Sequence, residues 1–172
     1  MYLKRNAYIT NICSMNYNES EMTAMITAER KAELVKQAGD EFQKRSVCSE
    51  AILNTFNQGL DLGLNETAIK MASPMAGYGN RCCCGALNGA EMVIGALTGR
   101  SSDNTDFNDF VKSFDFAKEM HDSFSKVFGA SCCKIITRNQ NFGTPEHMES
   151  CKHLVEDTAG LLVDVINNNK IA

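Results

Sequence analysis

Between Ala86 and Leu97 the chain reads ALNGAEMVIGAL, apolar nearly all round, with Asn88 and Glu91 as the polar exceptions. A helix without a polar face has to be surrounded by other elements, so this segment predicts the central buried helix of a helical core. It is far shorter than the roughly 20 apolar residues that a membrane span requires. Three consecutive thiols, Cys82, Cys83 and Cys84, run directly into it. Gly85, Ala86, Gly89, Ala90 and Gly95 keep one side of it thin, so a second helix or a bulky cofactor can come close there. Ahead of it, SPMAGYGN supplies Gly77 and Gly79, which let the loop fold tightly and turn backbone N–H groups inward as an anion nest.

The rest of the chain reads as helices around that centre. Two prolines, no Trp and many Ala, Met, Glu and Lys favour helix, and no period-2 strand stands out. A long amphipathic helix is predicted from Met22 to about Lys44. A second follows from a Ser46 cap to about Leu60, with Cys48, Ala51, Ile52, Thr55 and Phe56 on one face. Asn65 should cap a short helix toward Met71. Thr105 should cap one running to about Val127, with Asp106 and Asp109 in its first turn. Ser131 should cap a short helix beginning CCKII. Thr144-Pro145-Glu146 opens the last helix, with proline at the first helical position. The expectation is an all-α, single-domain bundle of five or six helices over residues 22–172, preceded by a flexible, Asn-rich extension over residues 1–21. A chain of 172 residues can bury roughly 70% of its unfolded surface and needs no covalent staples.

Charge narrows the function classes. A formal net charge of −4 gives no electrostatic reason to expect nucleic acid or an anionic membrane as partner. No apolar run of about 18 residues occurs, and the N-terminus lacks the apolar core and cleavage site of a signal peptide. The expected compartment is the cytoplasm, where structural disulfides are rare. Eight cysteines then call for metal binding, redox chemistry or plain burial.

Placed on the predicted helices, Cys48, Cys84 and Cys133 each stand at a helix N-terminus. Unsatisfied N–H groups and the positive end of the helix dipole lower a thiol's pKa and favour the thiolate, the form that ligates metals or attacks disulfides. The same field suits an anionic iron–sulfur cluster. Cys151 lies two turns into the last helix, on one face with Leu154, Val155, Thr158 and Leu162, and points inward.

In these residues the chain resembles a family of redox-active proteins named for four cysteines and a CGAxxG motif, the C-GCAxxG-C-C family. The resemblance rests on Val47-Cys48-Ser49-Glu50-Ala51, on Gly77-x-Gly79 leading to Cys84-Gly85-Ala86-Leu87-Asn88-Gly89, on Phe128-Gly129 with Cys133, and on Cys151-Lys152-His153-Leu154-Val155. It spans about residues 24 to 168. It implies a small helical protein whose four cysteines are redox-active or metal-binding, with no substrate attached to it. The chain is also similar to part of the split-Soret cytochrome c proteins, which carry an iron–sulfur cluster besides haem. No C-x-x-C-H haem attachment motif is present, so haem is not implied. Cys82, Cys83 and Cys132 are thiols beyond the family's four, and Cys13 lies outside the match.

Other signals are weaker. GYGNRC lacks the third glycine and the preceding strand of a dinucleotide loop, and DNTDFNDF lacks the Gly and Glu of a calcium loop. His121, His147 and His153 have no paired metal spacing and read as surface residues, with His147 or His153 the ones that could reach the site. Glu91 shares a stripe with Cys84 and Asn88, either as a proton donor near the thiols or, on the plainer reading, reaching solvent or a lysine. The phenylalanines from Phe107 to Phe116, with Phe124 and Phe128, read as core.

Three function classes stay open. In the first, Cys48, Cys84, Cys133 and Cys151 converge within reach of one metal centre, foremost an iron–sulfur cluster, with Cys82 or Cys83 at its edge and Gly77, Gly79, Gly85 and Gly89 shaping the pocket for it. The protein then transfers or senses electrons with an unidentified redox partner. Structural zinc is the alternative metal, though zinc sites usually draw on paired C-x2-C knuckles. In the second class no metal is bound and Cys84 is a nucleophile resolved by another thiol. In the third the bundle is a non-catalytic interaction module whose cysteines only pack. An apolar helix face leaves room for a homodimer in any of these.

Overall fold

Leu34, Ile52, Phe56, Leu87, Ile94, Phe124 and Leu162 come from five different helices and are shielded almost completely from solvent. The computed structural model describes residues 25–78 and 82–171. The expected extension over residues 1–21, Cys13 and Gly79 lie outside them. Seven α-helices follow in order: α1 (Ala28–Arg45), α2 (Cys48–Gly59), α3 (Glu66–Ala72), α4 (Gly85–Thr98), α5 (Phe107–Phe128), α6 (Cys133–Ile136) and α7 (Pro145–Asn169). A 3-10 turn, Ser73–Met75, follows α3, and no strand occurs among the described residues. The all-α bundle read from the sequence is the fold, with six helices of seven residues or more and α6 a single turn.

The central helix is α4. It packs between α2 and α5 and also touches α7, while α1 lies against α2 and α7. Each large apolar side chain buried in this centre contributes about 1.5–3 kcal/mol. The first half of α4 is buried, but Gly95 and Ala96 emerge into solvent. Gly89 explains how close α2 comes: a Cβ there would stand 2.7 Å from the carbonyl oxygen of Ser49.

Several predicted caps shift by a residue. The expected start at Met22 lies outside the described residues; residues 25–27 are not helical, and α1 begins at Ala28, capped by Thr27, whose side chain accepts from the Arg30 N–H. Ser46 does not open α2. It closes α1 in the left-handed region at φ 58°, donating its N–H to the Phe42 carbonyl, and Val47 precedes α2. Asp106 replaces Thr105 as the cap of α5, because its carboxylate accepts from the Asn108 N–H. Cys132 precedes α6 in place of Ser131. Asn65 and Thr144 cap α3 and α7 as expected.

Phe107, Phe110 and Phe114 are exposed, not core, at 68%, 43% and 56%. They follow one another at helical spacing along the first half of α5 and stack mainly on each other, with ring centroids 5.5 and 6.0 Å apart. Only farther along α5 do Met120 and Phe124 enter the bundle.

Candidate functional site

The loop between α3 and α4 is held by side chains from both neighbouring helices. Ser49 donates its hydroxyl to the Ala72 carbonyl at 2.7 Å, and Asn88 donates its amide to the Met75 carbonyl at 2.6 Å. These bonds bring Ala76 and Gly77 under the N-terminus of α4. Cys84 caps that helix and Cys48 is the first residue of α2, so the two thiols meet across the loop. The approach is close enough to require glycine. A Cβ on Gly85 would stand 2.3 Å from the Cys48 sulfur and 2.7 Å from the Ala76 Cα, and one on Gly77 would stand 2.7 Å from the Cys133 sulfur.

The third thiol arrives through a backbone clasp. Cys84 donates its N–H to the Ser131 carbonyl at 2.9 Å, and Cys133 donates its N–H to the Cys82 carbonyl at 3.2 Å. The segment entering α4 is thereby tied to the segment entering α6. Cys151 completes the set from α7, one turn after His147.

Cys48, Cys84, Cys133 and Cys151 all line one cavity of about 360 Å3. Phe42, Ile136, Met148 and Leu154 supply apolar wall, and no Asp, Glu, Lys or Arg among the described residues lines it. Tyr78 and Phe142 stand at its mouth, exposed and ring to ring at 4.8 Å, and Phe142 also lies 5.0 Å from the His147 ring. Among the described residues, no three of His, Cys, Asp or Glu gather tightly enough to hold a single metal ion. The thiols ring a space rather than point at one atom.

Burial decides the protonation of Cys48, Cys84 and Cys151. It pushes the Cys48 and Cys84 pKa values up, and Cys151 up to about 12. The proximity of other cavity thiols adds to the rise at all three. The sequence expectation of lowered pKa values at helix N-termini is therefore corrected for Cys48 and Cys84. The N–H groups are in place, from Gly77 at the Cys48 sulfur and from Ala86 and Leu87 at the Cys84 sulfur, and they act toward the thiolate. In an uncharged wall they do not offset the desolvation.

His147 is the residue that sequence reading underrated. It is 4% exposed and lines the cavity, rather than lying on the surface. Its Nδ1 accepts the Gly143 N–H at 3.3 Å, which assigns the proton to Nε2, and Nε2 lies 3.6 Å from the Cys151 sulfur. The i, i+4 spacing of His147 and Cys151 on α7 was the signal for it. His121 and His153 are surface residues as read, paired with Asp122 and with Glu149 and Glu156.

Other candidates fall outside the cavity. Cys82 and Cys83, expected at the site's edge, are exposed and line none of it, because the chain turns inward only at Cys84. Gly89 serves the α2–α4 contact. Glu91 does not line the cavity. It is half-buried, its carboxyl pKa raised by burial and opposed by His121. No disulfide joins the seven described cysteines.

The family described as "Putative redox-active protein (C_GCAxxG_C_C)" matches residues 46–165. The chain belongs to this family. Its matched span contains all four cavity cysteines, from Cys48 at the start of α2 to Cys151 on α7. No curated protein and no solved structure gives a match. No helix among the described residues is long and apolar enough to cross a membrane.

Proposed function

We propose that the cavity of this redox-active family member holds an iron–sulfur cluster on Cys48, Cys84, Cys133 and Cys151, and that the protein transfers or senses electrons through it. The observation that carries this reading is the ring of four thiols, drawn from four separate helices, around one uncharged cavity of about 360 Å3. The donor set fits: four cysteines are the usual complement of a two-iron or four-iron cluster. The glycines fit as well, since a Cβ at Gly77 or Gly85 would run into the very sulfurs that would bind.

Bound there, the cluster would supply one-electron redox chemistry. The chain's own part is to bind, to donate hydrogen bonds and to exclude water. Neutral buried thiols would release their protons on binding, as metal–thiolate sites require. The Gly77, Ala86 and Leu87 N–H groups and His147 Nε2 already face ligand sulfurs, and such donors tune cluster potential. Tyr78 and Phe142 would screen the mouth.

The competing readings meet specific difficulties. A tetrahedral zinc ion needs its sulfurs about 2.3 Å from one point, and the thiols do not gather so. A nucleophilic Cys84 needs a thiolate, which burial opposes. Cysteines that merely pack would fill space rather than line a void.

The test is anaerobic purification of the full chain, followed by absorption spectroscopy with iron, sulfide and zinc analysis on one sample. The expected result is visible charge-transfer bands with iron and sulfide in comparable amounts. A colourless protein, with zinc or without metal, would overturn the reading.

A further inference from the structure

The cavity mouth differs in charge from the rest of the chain. The formal net charge is −4, yet no acid occurs between Glu66 and Glu91 or between Asp122 and Glu146. These two stretches supply Tyr78 and Cys84, and Cys133, Ile136 and Phe142, to the cavity. Lys134 and Arg138 flank the lining residues Ile136 and Thr137, and both are exposed. Neither side chain has a carboxylate partner among the described residues, whereas Lys36, Arg45 and Lys118 elsewhere are paired with Asp40, Glu41 and Asp122. The first acid past the rim, Glu146, lies in the opening turn of α7. The same rim exposes apolar surface at Tyr78, Ile135 and Phe142. From it a run of rings leads inward. Tyr78 lies 4.8 Å from Phe142, Phe142 lies 5.0 Å from His147, and His147 Nε2 lies 3.6 Å from the Cys151 sulfur.

We propose that this rim is the docking surface for an acidic electron-carrier protein of the ferredoxin class, which meets Lys134 and Arg138 with its carboxylates and the Tyr78 and Phe142 rings with its apolar centre. The partner's kind rests on the cluster reading, because a one-electron centre needs a one-electron donor. Aromatic residues and Arg are the types enriched where proteins meet, and opposite charge speeds and orients the encounter. Two cations set among exposed rings suit the small, transient contact of an electron carrier. They do not suit a nucleic acid, whose binding draws on many phosphate contacts. In the transfer one electron leaves the reduced carrier and enters the cluster. The carrier is oxidised by one electron, the cluster is reduced by one, and no bond forms or breaks. The run of rings joins the docked surface to a ligand sulfur.

The experiment is anaerobic calorimetric titration of the full chain with an oxidised, acidic plant-type ferredoxin, with iron and sulfide counted on the same samples. Wild-type binding should weaken as salt is added. Lys134→Glu/Arg138→Glu should weaken it about tenfold at low ionic strength. Lys112→Glu/Lys118→Glu makes the same change in net charge on exposed positions of α5, and should weaken it less than about twofold. Dithionite should reduce the rim variant's cluster as fast as the wild type's, since the substitutions leave the cavity lining intact. No binding by the wild-type chain, equal weakening by the two double variants, or binding indifferent to the rim reversal would overturn the proposal. Iron and sulfide present without rim-specific binding sinks the docking surface alone. Rim-specific binding by a chain without iron sinks the cluster reading, and the electron step with it.

Discussion

Cys132 and Cys133 are adjacent in sequence, as are Cys83 and Cys84, yet each pair divides between two environments. The inner members line an uncharged cavity with Cys48 and Cys151. The outer members line none of the cavity, and Cys83 is exposed. The difference teaches that thiol chemistry in this fold is set by which way the chain turns at a helix start, not by the helix start itself. Cys83 and Cys84 stand together at the start of α4, and Cys132 and Cys133 at the start of α6. At Cys48 and Cys84 burial outweighs the N–H groups in fixing the proton.

The widest predicted gap is in reactivity. In the metal-free protein at pH 8, Cys83 should be alkylated at least about a hundredfold faster than Cys84 or Cys151, because the buried pair hold their protons and thiolate is the reactive form. Timed iodoacetamide labelling with peptide mapping reads this directly, and comparable rates would erase the distinction between the two sets.

Steric fit comes next. Gly85→Ala forces a Cβ toward the Cys48 sulfur and the Ala76 backbone, and should cost about 1–3 kcal/mol by overpacking. Gly95→Ala, on the exposed end of the same helix with nothing within 4 Å, should instead stabilise by about 0.5–1 kcal/mol. Urea denaturation of both variants sharpens the contrast between the cavity end of α4 and its far end.

The third prediction concerns pH. Cys48, Cys84 and Cys151 keep their protons in the folded, metal-free chain, whereas an unfolded thiol loses its proton around the ordinary value of 9. Their contribution is therefore fully present below about pH 9 and is lost as pH rises toward the Cys151 value of about 12. Melting temperature of the metal-free protein should fall steadily above pH 9. A flat profile between pH 9 and 11 would mean the inner thiols are not desolvated.

The smallest effect belongs to His147. His147→Leu keeps bulk but removes the Nε2–H at the Cys151 sulfur and leaves the Gly143 N–H without its acceptor, so it should cost about 1 kcal/mol. In a cluster-loaded protein it should also lower the reduction potential, since a donor to a ligand sulfur is lost. An unchanged potential with reduced stability would confine His147 to a packing role.

What the sequence made legible was local. The run from Ala86 to Leu97 announced a central helix because no polar face was left, and Thr144-Pro145 announced α7 through its own cap chemistry. Caps were misplaced where two capable residues stood side by side, as at Thr105 and Asp106, since only the finished turn decides between them. The exposed Phe107, Phe110 and Phe114 could not be told from core, because helical spacing shows a face and not what covers it. The four cysteines were identifiable as a set, whereas the burial that raises their pKa values depends on side chains such as Phe42 and Leu154 that come from distant helices. His147 was read as a surface residue for the same reason: its partner was visible at i+4, but its burial was not.

The most direct test counts iron and sulfide in two variants reconstituted side by side, Cys82→Ser/Cys83→Ser/Cys132→Ser and Cys48→Ser/Cys151→Ser, each checked for helical circular dichroism. The account predicts that the outer variant keeps the wild-type content and the inner variant loses nearly all of it. Retention by the inner variant, or equal loss from both, would contradict the assignment of the cluster to the four cavity cysteines.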